Sequence, residues 1–115
     1  MGGARRDTFE YSGSDELDEV AWYGNNSDSR TQAVRAKKAN GAGLYDLSGN
    51  IWEWCFDWYG GLPAETPWGP KSGSRRVLRG GGWSRYAGDC LPARRNDDSP
   101  YSRNAGLGFR LVLVP

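Results

Sequence analysis

The chain of 115 residues contains no histidine, one methionine, three lysines and two cysteines. It also has no apolar run long enough to cross a membrane as a helix. Each scarcity removes a class of function. Without histidine there is no Ser-His-Asp or Cys-His relay, and no three-histidine iron site. With only Cys55 and Cys90, and no Cys-x-x-Cys, there is no zinc-ligand set. A net charge of +1 exerts no long-range pull on nucleic acid or an anionic membrane, so neither nucleic-acid binding nor membrane insertion is expected. The opening Met1-Gly2-Gly3-Ala4-Arg5-Arg6 lacks the apolar core of a signal peptide, so no export route is legible in this chain.

What is present is glycine, proline and tryptophan. Seventeen glycines and six prolines approach a disordered composition, but the chain is 13% aromatic, and disordered chains lack rings worth burying. Six tryptophans carry much of the apolar area, so one small, ordered, loop-rich domain is expected. Asp15 to Tyr23 (DELDEVAWY) predicts a short helical turn that opens on acidic residues, as the helix dipole favours. Gly24 to Ser29 is turn chemistry.

The most informative stretch is LYDLSGNIWEWCFDWYG, Leu44 to Gly60. From Ile51 it alternates, placing Trp52, Trp54, Phe56 and Trp58 on one face and Ile51, Glu53, Cys55, Asp57 and Tyr59 on the other. A period of two with aromatics predicts a strand, preceded by a turn at Asp46 to Asn50 in which Gly49 takes a positive φ. A proline-punctuated loop follows. A second strand is predicted at Arg76 to Arg79, ending at Gly80-Gly81-Gly82, and a third at Leu107 to Val114. Between these two lies Ser84 to Gly106, with neither helical nor strand period. It far exceeds a hairpin connection, and long loops in compact domains are usually functional or disordered.

Two groups of residues could carry chemistry. Asp46, Gly49, Ile51 and Glu53 have the spacing of an oxygen cage for a hard cation: two carboxylates, with a glycine-bearing turn exposing carbonyls between them. The same residues also serve as a plain turn, with Asp46 capping it and Glu53 accepting hydrogen bonds from backbone or arginine. Cys55 and Cys90 are read as structural, either as buried small hydrophobes or as one disulfide in an oxidising compartment.

Together, GLYDLSGNIWEWCFDWY, RRVLRGGGW, a central Cys-x-x-Ala-x-Arg and a closing GFRLV resemble the C-terminal half of the formylglycine-generating-enzyme, or sulfatase-modifying-factor, domain. The resemblance runs through about two thirds of the chain and implies an irregular C-type-lectin-like α+β fold with short antiparallel strands and long loops. It implies structural Ca²⁺ held by the side chains of Asp46 and Glu53 and the carbonyls of Gly49 and Ile51. Copper is not expected. The oxidase members hold it between two cysteines after the RGG motif, where this chain has only Cys90, and a lone thiolate cannot form a two-coordinate copper(I) site. Iron-dependent relatives need histidines, which are absent.

A non-catalytic branch of the same fold remains, the variable proteins of diversity-generating retroelements, in which adenine replacement turns Asn codons into others ending in a pyrimidine. Such codons cannot encode Lys, Glu, Gln, Met or Trp. None of the five occurs from Ser84 to Gly106, although they make up about a sixth of the rest of the chain. Chance would produce that absence about 1 to 2 per cent of the time for a window fixed in advance. A displayed surface must be uncoupled from the core, because an unsuitable residue in a packed interior costs on the order of a few kcal/mol.

The expectation is therefore a non-enzymatic binder with four parts: an irregular lead-in at 1–43, a tryptophan-rich scaffold at 44–83, a variable segment at 84–106 and a closing strand at 107–115. Its ligand-contacting candidates are Ser84, Arg85, Tyr86, Gly88, Asp89, Leu91, Pro92, Arg94, Asn96, Asp97, Asp98, Tyr101, Ser102, Asn104, Ala105 and Gly106. Arg79, Arg95 and Arg110 match recurrent arginines of the family and are assigned to the scaffold. The expected partner is a macromolecule, a protein, and the family implies display at a cell surface or outside the cell. The alternatives are a sulfatase-modifying-factor-type copper oxidase, or a degenerate relative serving as a structural or carbohydrate-binding module. If an N-terminal half of the domain normally covers the tryptophan face, this chain alone would self-associate through it.

Overall fold

The computed structural model describes residues 9–60 and 69–111. One helical turn, α1 (Leu17–Val20), lies within the acidic stretch where a turn is expected, and buries Leu17 and Val20. The frame is a four-stranded sheet in the order β3-β2-β1-β4, with β1 at Trp52–Trp58, β2 at Arg76–Arg79, β3 at Arg95–Asp98 and β4 at Leu107–Gly108. β1 pairs antiparallel with β2 through Glu53 to Arg79 and Trp54 to Leu78. β2 pairs antiparallel with β3 from Arg76–Asp98 to Arg79–Arg95.

Three expectations need correction. The strands are not all antiparallel, since β4 runs parallel to β1, pairing Leu107 with Trp52 and Gly108 with Glu53. The closing strand is also shorter than its alternation implies. After Gly108 the strand pairing ends, Phe109 and Leu111 are 72% and 88% exposed, and Val112 to Val114 lie outside the described residues. Finally, the tryptophan face does not face a core throughout. Trp52 is buried, Trp54 and Trp58 are half-buried and Phe56 is 85% exposed. The cause is a register irregularity between Trp54 and Trp58, which breaks the simple two-residue alternation. Arginine rather than hydrocarbon meets two of these rings: the Arg76 guanidinium lies 3.6 Å from the centre of the Trp58 ring and 5.4 Å from that of Phe56.

The interior is half polar. Leu17, Val20, Ala21 and Cys90 form one aliphatic cluster, and Leu47, Trp52, Val77 and Leu78 are buried on or beside the sheet. Ser12, Ser14, Ser27, Asn40, Ser48, Asn50, Glu53 and Asp89 are buried as well. Polar groups survive there by binding backbone that has no ladder partner. Ser27 donates to the Trp83 carbonyl (2.6 Å) and Ser48 to that of Cys90 (3.0 Å).

Asn50 joins three chain segments. Its side chain accepts from the Gln32 amide (2.9 Å) and donates to the Gln32 carbonyl (3.2 Å), as a neighbouring strand would. Its own amide donates to the Trp22 carbonyl (2.6 Å) and its carbonyl accepts from the Trp83 amide (2.8 Å). Gly49 beside it has the expected positive φ of 76°, and a Cβ there would stand 2.5 Å from the Trp22 carbonyl oxygen. The turn that opens β1 is thus clamped between the α1 region and the glycine run after β2.

Candidate functional site

Two places in the molecule bring carboxylates and arginines together. The first is the turn before β1. Both carboxylate oxygens of Glu53 accept from Arg110, at 2.9 and 3.0 Å from Nε and 2.9 Å from Nη2, and Nη2 also donates to the Asp46 carbonyl (2.9 Å). Glu53 is buried, and burial pushes its carboxyl up from the ordinary range, against the opposing pull of Arg110. Asp46, itself at positive φ (57°), accepts from the Arg35 amide through Oδ2 (2.8 Å), while its Oδ1 is buried without a hydrogen-bond partner. Asp46, Asn50, Ile51, Glu53 and Arg110 line a cavity of about 380 Å³ whose rim carries exposed Val34, Leu44 and Phe109.

The sequence left two uses open for these residues, and the structure contains elements of both. Arginine binding accounts for Glu53, as a plain turn requires. The orphaned oxygen of Asp46, with Ile51 and Glu53 on the same cavity, fits a hard cation. Glu53 can serve both partners, because a carboxylate has about four lone-pair positions and Arg110 uses only part of them.

The second place is the segment 84–106. It is less free of structure than its lack of pattern implies. A 3₁₀ turn occupies Ala87–Cys90, and Arg95–Asp98 is the edge strand β3, whose polar sequence gave no strand signal. Ser84, Tyr86, Gly88, Arg94, Tyr101, Asn104 and Ala105 are exposed, with Tyr86 at 83% and Tyr101 at 90%. Arg85, Leu91, Pro92, Asn96, Asp97, Asp98, Ser102 and Gly106 are half-buried.

Asp89 is a correction. The sequence places it among the ligand-contacting candidates, but it is buried, because Arg85 Nε (3.1 Å) and Arg94 Nε (3.2 Å) close on its two oxygens. Several others hold the frame through their backbones: the Gly106 carbonyl accepts from the Trp52 amide (2.9 Å), that of Ala105 from Trp83 Nε1 (3.0 Å) and that of Pro92 from Arg79 (2.8 Å). Backbone contacts of this kind survive a change of side chain. Asp98 caps the next turn, accepting from Ser102 Oγ (2.6 Å) and the Ser99 amide (2.7 Å), and these bonds hold its carboxyl below the usual range. Asp97 pairs with Arg75.

The three arginines assigned to the scaffold all reach inward. Arg79 binds Pro92 and Arg110 binds Glu53, while Arg95 donates to the Gly60 carbonyl (2.9 Å) with its guanidinium 5.0 Å from the Tyr59 ring centre. The possible Cys55–Cys90 disulfide is not formed: both thiols are free, Cys55 half-buried in β1 and Cys90 fully buried in the aliphatic cluster. Burial pushes the Cys90 thiol up to about 11. Among the described residues no three His, Cys, Asp or Glu side chains converge as a metal-ligand group.

A model of the sulfatase-modifying factor enzyme 1-like domain matches residues 1–114. The formylglycine-generating enzyme of Streptomyces coelicolor is 40% identical over 88 residues, covering 70% of this chain and 28% of that protein. The serine/threonine-protein kinase pkn1 of Chlamydia caviae is 42% identical over 89 residues, 71% of this chain and 14% of its own length. Among solved structures, Treponema denticola variable protein 1 superposes with a TM-score of 0.83 at 42% identity, covering 94% of this chain and 41% of that one. The chain thus spans well under half the length of each.

Proposed function

The chain belongs to the sulfatase-modifying factor enzyme 1-like family, whose structural neighbours have a C-type-lectin-type fold, and on that footing we propose that it is a non-enzymatic binding protein. It displays a diversified surface at residues 84–106 to a macromolecular ligand, a protein, at a cell surface or outside the cell, as the variable protein of a diversity-generating retroelement. One observation carries this. The stretch free of Lys, Glu, Gln, Met and Trp is also the one that presents Tyr86, Arg94 and Tyr101 to solvent on a frame tied down mainly through backbone. Rigid tyrosines offer contact area at low entropic cost, and neighbouring polar groups supply direction. The likeness to a variable protein over 94% of the chain supports the same assignment.

Calcium has a structural part in this proposal. The side chains of Asp46 and Glu53 and the carbonyls of Gly49 and Ile51 would hold it, and it would neutralise the two carboxylates and stiffen the turn before β1.

The oxidase alternative draws on the formylglycine-generating-enzyme relatives. Against it stands Cys90, buried in hydrocarbon and held as the neutral thiol at physiological pH, the opposite of what a metal-binding thiolate needs.

The deciding experiment is genomic sequencing around the gene. We expect a nearby second copy of the coding sequence for residues 84–106 that differs only at adenines, with a reverse transcriptase gene beside it. No such repeat, or robust copper-dependent oxidation of a cysteine-containing peptide by the protein, would sink the proposal.

A further inference from the structure

The cluster around Asp89 holds more positive charge than it needs. Arg85 and Arg94 each place Nε on one oxygen of a single buried carboxylate, so two cations share one anion and one positive charge is left over. That surplus belongs chiefly to Arg94, because its side chain is 53% exposed against 40% for Arg85, whose guanidinium also stands 5.8 Å from the Trp52 ring centre. The Nη atoms of Arg94 make no hydrogen bond to any described residue. With Nε anchored, that pair is a preset fork of parallel N–H donors, the geometry that matches a carboxylate end-on.

Arg94 stands at the side of a shallow hollow of about 540 Å³ that Tyr86, Gly88, Asp89, Leu91 and Ala93 complete. Its walls are largely apolar, so they offer matching surface to an apolar residue beside the group that Arg94 pairs with. The other acidic residues of the segment are already engaged: Asp97 and Asp98 pair with Arg75.

From this we infer that the hollow beside Arg94 receives an acidic side chain, Asp or Glu, set next to an apolar residue of a protein partner. The inference rests on the binding function proposed above and specifies its chemistry. Asp89 is then a positioning residue that aims the fork from the wall of the hollow.

The test presents the full chain to a phage-displayed random-peptide library. Enriched peptides should carry Asp or Glu beside an apolar residue, and their affinity should fall about tenfold or more in Arg94→Gln. Arg94→Lys, which keeps the charge but loses the fork, should fall in between, and it also guards against misfolding of the first variant. Arg30→Gln, which removes an exposed pair with Asp28, should change nothing. Peptides that bind but show no acidic preference, or that ignore Arg94→Gln, would overturn the acid-receiving hollow while leaving the binding surface in place. If all binding is insensitive to Tyr86→Ala, Arg94→Gln and Tyr101→Ala, or no peptide is enriched, the binding function fails with it. An oligonucleotide whose binding depends on Arg94 would replace the protein partner and overturn the inference.

Discussion

At Glu53 one guanidinium closes on one buried carboxylate, whereas at Asp89 two guanidiniums share one. The first cluster spends its donors inward: Arg110 binds both oxygens of Glu53 and the Asp46 carbonyl. The second leaves the Nη donors of Arg94 without a described partner, on a residue that lines a hollow. The ingredients are the same, and the ratio of cation to anion, with burial, decides whether such a cluster holds the chain together or waits for something else. Both carboxylates are buried, so removing a sole partner strands a charge at Glu53, whereas at Asp89 the second arginine remains to hold it.

Substitutions can break this contrast at several points. The frame should be the most sensitive. Gly49→Ala forces a Cβ to 2.5 Å from the Trp22 carbonyl oxygen at a φ of 76°, and should cost about 3–5 kcal/mol in chemical denaturation. Next comes Arg110→Ala, which strands Glu53, at about 3 kcal/mol. Millimolar Ca²⁺ should raise the melting temperature of the native chain and not that of Asp46→Asn, since the orphaned Asp46 oxygen is the group that gains a partner.

A pH titration addresses the aliphatic cluster that holds Cys90. Because Cys90 is raised from 9.0 to about 11, the native state holds a proton that the unfolded state releases in that interval. Stability should therefore decline as pH rises from 9 to 11, by on the order of 2 kcal/mol. A Cys90→Ala control should show a smaller decline, the remainder coming from Cys55, Tyr11 and Tyr23, which are raised as well, and native Cys90 should resist thiol reagents at neutral pH. The smallest effect is expected at the proposed display surface. Tyr101→Ala should move stability by less than about 0.5 kcal/mol while weakening ligand binding, and a larger loss of stability would mean that this surface is coupled to the frame after all.

Much of this was legible in the chain, and what escaped did so for physical reasons. Alternation of aromatic residues gave β1, because a pleated strand leaves a period-two trace, the short apolar pair Val77-Leu78 closed by Gly80-Gly81-Gly82 gave β2, and Gly49 announced the turn. β3 left none: Arg95-Asn96-Asp97-Asp98 has no strand propensity and pairs because β2 offers an open edge beside it. The closing alternation overstated β4, since pattern alone does not say where a strand loses its neighbour. Asp46 and Glu53 were found from spacing, but that Arg110, 57 residues away from Glu53, would close on it is a long-range fact that local pattern does not contain. Asp89 looked like an exposed polar loop residue. Only its two arginine partners, one on either side in sequence, explain its burial.

The position of β3 carries one more consequence. It ends the sheet, and an unpaired strand edge is where other chains can add themselves. Here short polar side chains occupy the amides a newcomer would seek: Asn96 accepts from the amide of Asp97 (2.9 Å), and Asp98 from that of Ser99 (2.7 Å). If these codons are redrawn from one generation to the next, each draw also resets the solubility of the molecule. The repertoire such a frame can deliver is then bounded by which strand edges stay quiet as well as by what binds.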